Sequence, residues 1–137
     1  MAPQLRTVLL VGPAQDDRAM YAEYLRCRGV TPIETDDPSA ALAAAADADA
    51  VVTGIHLTEG ADGLELIRRL RAADRTHLTP VIVLTASVLV TDRQRATAAG
   101  CDAFLPKPCD PDTLLAEIRR VMTVCRHATA LPNQRIA

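Results

Sequence analysis

Two short apolar runs in the second half of the chain constrain the fold more than any other feature. Residues 81–84 and 103–105 are continuous and hydrophobic, as expected of strands covered on both faces of a parallel sheet. The segment between them has the features of a helix: Thr91 is the predicted N-cap, Asp92 lies in the first turn, and Gly100 follows the last turn. A strand, a helix and a strand within about 25 residues predict a right-handed crossover unit.

In such a sheet, ligands bind beyond the carboxyl ends of the strands, where Thr85 and Lys107 stand. The runs LTAS and AAGCDAFLPKP, followed by the helix opening DPDTLLAEI, resemble the second half of the receiver domain of bacterial two-component response regulators. The resemblance extends over residues 7–124. It implies that Thr85 and Lys107 are the residues that contact a phosphorylated aspartate, that Phe104 is the aromatic switch residue, and that Lys107–Pro108 is a cis peptide.

Length and charge exclude several classes of protein. With 137 residues and a net charge of −2, we expect one domain and no binding of nucleic acid. No apolar run approaches the roughly 18 residues of a membrane helix, and residues 1–7 lack the apolar stretch of a signal peptide, so we expect a cytoplasmic protein. The predicted organisation is a lead at 1–6, a receiver-like domain at 7–125 and a loose polar tail at 126–137.

The cysteines and histidines are too scattered to form a metal site. No CxxC pair is present, which predicts free thiols, buried or half-buried, in a reducing compartment, and the histidines lack the spacing of zinc ligands. These residues are Cys27, Cys101, Cys109, Cys125, His56, His77 and His127.

The rest of the chain continues the alternation of strands and helices. Strands are predicted at 8–11, at 30–33, where Pro32 favours an edge position, and at 50–53. Asp37 and Pro38 predict the start of a helix, as do Asp110 and Pro111. Five strands alternating with five helices predict an α/β, doubly wound parallel sheet. The resemblance further implies the flavodoxin-like strand order 2-1-3-4-5, with helices on both faces.

The residues that would carry a receiver's chemistry are absent. The resemblance implies an aspartate phosphoacceptor after the third strand, and an acidic pair after the first strand that binds Mg²⁺ with it. Aligning ADAVVTGIHL puts Gly54 at the acceptor position, and aligning VLLVGPAQDD puts Gly12 and Pro13 at the acidic pair. We therefore predict a degenerate receiver that has no catalytic residue, binds no Mg²⁺ and is not an enzyme.

Five residues are candidate substitutes for the lost groups, and each has a simpler interpretation. Asp16 and Asp17 are favourable against the dipole of the first helix. Asp62 matches the start of a helix, and Glu59 lies in the same loop. His56 is a possible phosphoacceptor, but a single histidine in a loop is more often only solvated.

The retained positions also have structural interpretations. Without an acceptor, a partly buried Lys107 is expected to move outward, to pair with Asp16 or a loop acid, or to hold an anion. Thr85 can bond to nearby backbone at the end of its strand. Phe104 can serve as core packing.

We favour a stand-alone signalling module of the two-component, phosphorelay type that works without phosphorylation by docking to a protein such as a sensor kinase. We expect a monomer or weak homodimer. Two alternatives stay open: a phosphoacceptor that uses a substitute residue, and a small-anion sensor in the crevice around Lys107. The docking face implied by the family lies on the fourth helix, fifth strand and fifth helix, and includes Arg93, Arg95, Leu105, Arg119 and Arg120.

Overall fold

Five strands and five helices alternate along the described part of the chain. The computed structural model describes residues 4–12, 15–57, 60–87 and 89–130. Among these residues, no helix has the length and apolar character needed to cross a membrane. The elements are β1 Thr7–Val11, α1 Gln15–Cys27, β2 Thr31–Thr35, α2 Pro38–Ala45, β3 Ala50–Thr53, α3 Gly63–Ala72, β4 Val81–Thr85, α4 Val90–Ala99, β5 Ala103–Pro106 and α5 Pro111–Ala130.

The strands form one parallel sheet in the order β2-β1-β3-β4-β5, which confirms the predicted architecture. β1 and β3 are neighbours although β2 lies between them in sequence. The strand order therefore reverses beside β1, and this is the point at which an open α/β sheet leaves a crevice at its carboxyl edge.

The core lies in two layers because each central strand buries alternate residues on opposite faces of the sheet. Leu10 and Val52 face the layer formed with α1 and α5, whereas Leu9 and Val51 face the layer formed with α2, α3 and α4. The inner face of α5 is buried at Leu114, Leu115, Ile118, Val121 and Met122.

Several helix ends follow the predicted capping chemistry. The Oδ2 atom of Asp37 accepts a hydrogen bond from the Ala40 amide at 3.0 Å, and Pro38 occupies the first turn of α2. Gly100 ends α4 with a φ of +116°, a conformation that residues with a Cβ rarely adopt.

Three boundary predictions are wrong. α4 is capped by Leu89, without a side-chain hydrogen bond, so Thr91 already lies inside the helix. β2 begins at Thr31 and continues to Thr35, because its whole length pairs with β1. The loose tail is predicted to begin at residue 126, but α5 continues as a helix to Ala130. Residues 131–137 lie outside the described residues.

Arg71 fastens the amino edge of the sheet on the side of β4 and β5. Its Nε donates to the Gly100 carbonyl at 2.9 Å and its Nη1 to the Thr79 carbonyl at 2.6 Å. Its Nη2 lies 2.8 Å from Oδ2 of Asp102, which also accepts from the Val81 amide. One guanidinium thus joins the end of α3, the end of α4 and the starts of two strands, and this is a contact set that the sequence did not reveal.

The described cysteines are free, as predicted, but only two are half-buried. Cys27 is exposed at the end of α1, which contradicts the expectation of burial, whereas Cys101 and Cys109 are partly covered. Burial raises the pKa of the Cys101 thiol, and Asp102 adds to that shift. The side chain of Cys125 lies outside the described residues.

Candidate functional site

A crevice of about 180 Å³ opens at the carboxyl ends of β1, β3 and β4. Its walls are largely aliphatic, formed by residues such as Leu10, Val52 and Leu84. Its polar side chains come from the start of α1, the loop after β3 and the segment after β5. They include Asp17, Arg18, His56 and Lys107.

Lys107 is held in an ion pair that spans most of the chain. Its Nζ lies 3.0 Å from Oδ2 of Asp17, which is 90 residues away in sequence, and its amide donates to the Thr85 carbonyl at 2.8 Å. Pairing with an acid is one of the predicted outcomes, but the partner is Asp17, a candidate substitute for the lost acids for which the sequence favours the helix-dipole interpretation. The side chain of Asp16 lies outside the described residues. The Lys107–Pro108 peptide is cis, as the resemblance implied.

Thr85 has the local structural role that was weighed against its functional one. It is the last residue of β4, is buried, and accepts a hydrogen bond from the Ser87 amide at its Oγ1 over 3.2 Å. The Ser87 hydroxyl then donates to Oδ2 of Asp92 at 2.5 Å. Asp92 is buried, and this hydrogen bond gives its carboxylate a partner. Together the contacts of Thr85, Ser87 and Asp92 stabilise the beginning of α4.

Phe104 lies on β5, beside Val83 of β4, and is only partly buried. It packs against the core layer of α3 and α4, and the Arg93 guanidinium carbon lies 5.9 Å from the centre of its ring. This contact is a cation–π arrangement at a partly exposed site. Phe104 therefore combines core packing with a link to α4.

The two glycines at the ends of β1 and β3 leave unfilled space. Gly12 and Gly54 follow these strands directly and join the neighbouring strand ends through their amides. A Cβ placed at Gly12 would meet no atom within 4 Å, and one at Gly54 would lie 3.8 Å from the Leu84 carbonyl oxygen, an ordinary contact. Packing therefore does not require glycine at either position. Pro13 lies outside the described residues.

Gly63, in contrast, is a glycine that the packing demands. A Cβ there would lie 1.8 Å from the Gly54 carbonyl oxygen, and the Gly63 amide donates to the Ile55 carbonyl at 2.7 Å. The start of α3 thus presses against the loop after β3. The sequence offered one signal for this contact, the Asp-Gly pair at the helix start.

Two of the other candidate substitutes, Asp62 and His56, lie among the described residues and have structural contacts of their own. Asp62 is the N-cap of α3, and its Oδ1 accepts from the Leu64 amide at 2.8 Å, in agreement with its structural interpretation. His56 is exposed at the rim of the crevice and forms an isolated β-bridge with Asp62. Glu59 lies outside the described residues.

The sequence did not single out two residues on the crevice side of α1. The buried Tyr21 donates from its hydroxyl to the Cys109 carbonyl at 2.7 Å, joining α1 to the segment before α5. Burial, with the nearby Cys109 and Asp17, raises the pKa of Tyr21. Arg18 also lines the crevice, and its Nε is buried with no hydrogen-bond partner. Tyr21 lies one helical turn after Asp17, which is a signal in the sequence, whereas nothing in the sequence pointed to Arg18.

The crevice does not fit the Mg²⁺ site that the resemblance implies. Mg²⁺ requires oxygen ligands, usually carboxylates, yet Gly12 and Gly54 supply none. Within the described ranges, no group of three histidine, cysteine or acidic residues is arranged to hold a metal ion. Asp17, the acid in the crevice, is already paired with Lys107.

A parallel 2-1-3-4-5 sheet with a threonine and a lysine at the ends of its last two strands defines a receiver-type α/β protein. The sequence profile of the response regulator receiver domain matches residues 8–119. The chain therefore belongs to the response regulator receiver family, which is a family of signalling domains.

Sequence relatives agree with this assignment. The chain is 30% identical over 119 residues to the phosphate regulon transcriptional regulatory protein PhoB of Escherichia coli, covering 85% of this chain and 52% of that protein. It is 43% identical over 61 residues to the response regulator Rre1 of Synechocystis, covering 44% of this chain and 26% of that protein. The chain thus spans about half, or less, of the length of these relatives.

Solved structures share the fold. The chemotaxis protein CheY4 of Vibrio cholerae superimposes with a TM-score of 0.78 at 28% identity, covering 86% of this chain and 99% of that one. The receiver domain of a Pseudomonas aeruginosa sensor histidine kinase superimposes with a TM-score of 0.77 at 26% identity, covering 87% and 98%. That receiver was solved with a magnesium ion coordinated in its active-site cleft.

Proposed function

We propose that this chain is a receiver-like signalling module that works without phosphorylation and without Mg²⁺, by docking to a protein partner. The observation that carries the proposal is the open space at Gly12 and Gly54. A Cβ fits at both positions without a close contact, and neither position carries a carboxylate. A receiver without these carboxylates lacks both the nucleophile and the ligands that position a phosphoryl group.

The retained residues support the same proposal. Lys107 is already neutralised by Asp17, and Thr85 accepts a hydrogen bond from Ser87. Both contacts keep the crevice in one arrangement without a covalent phosphate. A module of this kind presents a constant surface, and its signalling depends on the presence of the chain and of its partner.

The proposed docking face is formed by α4, β5 and α5. Arg93, over Phe104, and Arg119 are both exposed there. Arg95 lies 3.6 Å from Asp92, so part of its charge is balanced within α4. An excess of guanidinium groups on this face favours an acidic partner surface, such as one on a sensor kinase, because complementary charge speeds and orients association.

A second function is favoured by one contact. Asp17 lies 3.0 Å from Lys107, the distance at which the family's lysine would contact an acceptor carboxylate. Asp17 is therefore the described residue best placed to serve as a substitute phosphoacceptor. Its carboxylate is half-exposed and thus accessible to a phosphodonor.

Intact-protein mass spectrometry after incubation with acetyl phosphate and Mg²⁺ distinguishes the two functions. We expect no phosphoryl adduct on the wild-type chain. The triple variant Gly12→Asp, Pro13→Asp, Gly54→Asp should become modified if the crevice otherwise retains receiver geometry. An adduct on the wild type that Asp17→Asn removes would overturn the proposal in favour of the second function.

Charge reversal tests the docking face. Arg95→Glu with Arg119→Glu should weaken binding to a purified cognate kinase at least tenfold, because two favourable charges become unfavourable. Arg68→Glu with Arg69→Glu, on α3, is the matched control and should bind as the wild type does. Equal binding by both double variants would contradict the assigned face.

A further inference from the structure

The crevice combines apolar walls with a cationic side chain that has one buried donor without a partner. Leu10, Val52 and Leu84 form its aliphatic sides, and Arg18 reaches it from α1. The Nε atom of Arg18 is buried and makes no hydrogen bond, and it is the one such side-chain atom found among the described residues. A buried guanidinium donor without an acceptor is costly, so this atom marks the point where the site is incomplete.

The second cation of the crevice does not share this need. Lys107 is paired with Oδ2 of Asp17 at 3.0 Å. Gly12 and Gly54 contribute no charge at the strand ends. Among the described residues, no acid forms an ion pair with Arg18, so a ligand with a single negative charge would complement its guanidinium group.

The volume and the aliphatic walls of the crevice determine the size and the polarity of the uncharged part of the ligand. The crevice measures about 180 Å³. Aliphatic cavities of about 150 Å³ in other proteins accept a molecule of the size of benzene. The three aliphatic wall residues would contact an apolar ligand body. A fully hydrated anion such as inorganic phosphate would instead leave them in contact with water.

We propose that the crevice binds a small monocarboxylate with a compact apolar body, about the size of benzoate. Its carboxylate accepts hydrogen bonds from the Arg18 guanidinium, which can offer two parallel donors to a carboxylate. Its apolar body lies against Leu10, Val52 and Leu84. This site uses Arg18 as its anchor, in place of Lys107, which sequence reasoning alone had put forward as the anion-binding residue.

Isothermal titration calorimetry with benzoate, isovalerate and cyclohexanecarboxylate tests the site. We expect at least one to bind saturably below about 10 mM, a range that corresponds to weak but specific association. Benzyl alcohol and benzylammonium have similar apolar bodies without the negative charge, and they should bind at least tenfold more weakly, since a charge-assisted hydrogen bond is lost.

Two variants locate the binding. Arg18→Met keeps much of the side-chain volume and removes the donors, so it should weaken carboxylate binding at least tenfold. Gly54→Ala places a methyl group at the crevice without close contacts and should also weaken it. Arg68→Met, on the exposed face of α3, is the matched control and should bind as the wild type does.

The outcomes that overturn the inference are distinct from those that overturn the proposed function. No saturable carboxylate binding, equal binding of benzyl alcohol, or unchanged binding by Arg18→Met would each reject the monocarboxylate site. Tighter binding of inorganic phosphate than of any carboxylate would reject the apolar part of the ligand. The acetyl phosphate experiment is independent of all these results, because it reports covalent modification.

Discussion

Two arginines at opposite edges of the same sheet differ in how far their hydrogen bonds are satisfied. Arg71, at the amino edge, donates from all three guanidinium nitrogens to carbonyls and to Asp102. Arg18, at the carboxyl edge, has a buried Nε without a partner. Both lie at helix positions beside a sheet edge, so the difference comes from what surrounds them.

The comparison separates a structural arginine from a candidate binding residue. At the amino edge, Gly100 at the end of α4 and the loop between α3 and β4 supply the carbonyl groups that Arg71 needs. At the carboxyl edge, Gly12 and Gly54 leave open space where a side chain would fit. The hydrogen-bonding groups at the amino edge are therefore satisfied within the protein, whereas the carboxyl edge has room for a ligand.

Removing the satisfied arginine should have the largest effect on stability. Arg71→Met would leave the Asp102 carboxylate and several carbonyls without their donor, so we expect the free energy of unfolding to fall by roughly 2–4 kcal/mol. Urea denaturation followed by circular dichroism measures this change. Arg68→Met, which loses only a surface pair with Glu65, should stay within about 0.5 kcal/mol of the wild type. Equal losses in both variants would remove the contrast between a structural and a surface arginine.

A smaller loss of stability is expected when the hydrogen bond between Tyr21 on α1 and the segment before α5 is removed. Tyr21→Phe removes the hydrogen bond to the Cys109 carbonyl and should cost about 1 kcal/mol. The pKa of Tyr21 is raised in the folded state, so the unfolded chain loses this proton first as the pH rises.

The stability that Tyr21 contributes is therefore complete below about pH 10 and declines above it. Urea denaturation at pH 7 and at pH 10.5 should show a smaller alkaline loss in Tyr21→Phe than in the wild type. An identical pH dependence in both proteins would mean that this hydroxyl does not contribute to the alkaline decline.

The smallest effect should come from the unsatisfied arginine. Arg18→Met removes the cost of a buried donor without an acceptor but also loses the packing of the guanidinium group. Because these two contributions oppose each other, we expect the free energy of unfolding to change by no more than about 0.5 kcal/mol. Thermal melting without added ligand measures it. A loss as large as that of Arg71→Met would mean that Arg18 is a structural arginine after all.

Much of the fold could be predicted because its signals are local. The apolar runs of the central strands, the Asp37–Pro38 helix start and the glycine after α4 each act within a few residues, and each lies where the sequence predicted. The start of α4 could not be predicted in the same way. Thr91 has the chemistry of an N-cap, but Ser87 and Asp92 secure that helix start instead.

In the candidate site too, some features could be predicted from the sequence and others depend on the tertiary structure. The sequence by itself determined which groups are absent, since Gly12 and Gly54 carry no carboxylate in any conformation. It also determined that Lys107 would follow an apolar run. That run was expected to be covered on both faces, but it forms the edge strand β5 and is only partly buried, because the strand order leaves β5 with a single neighbour. Only the tertiary structure decided that Asp17 neutralises Lys107 across 90 residues and that Arg18 enters the crevice without a partner. The physical reason is that strand and helix signals act between neighbours in sequence, whereas charge pairing and burial depend on which distant segments the sheet order brings together.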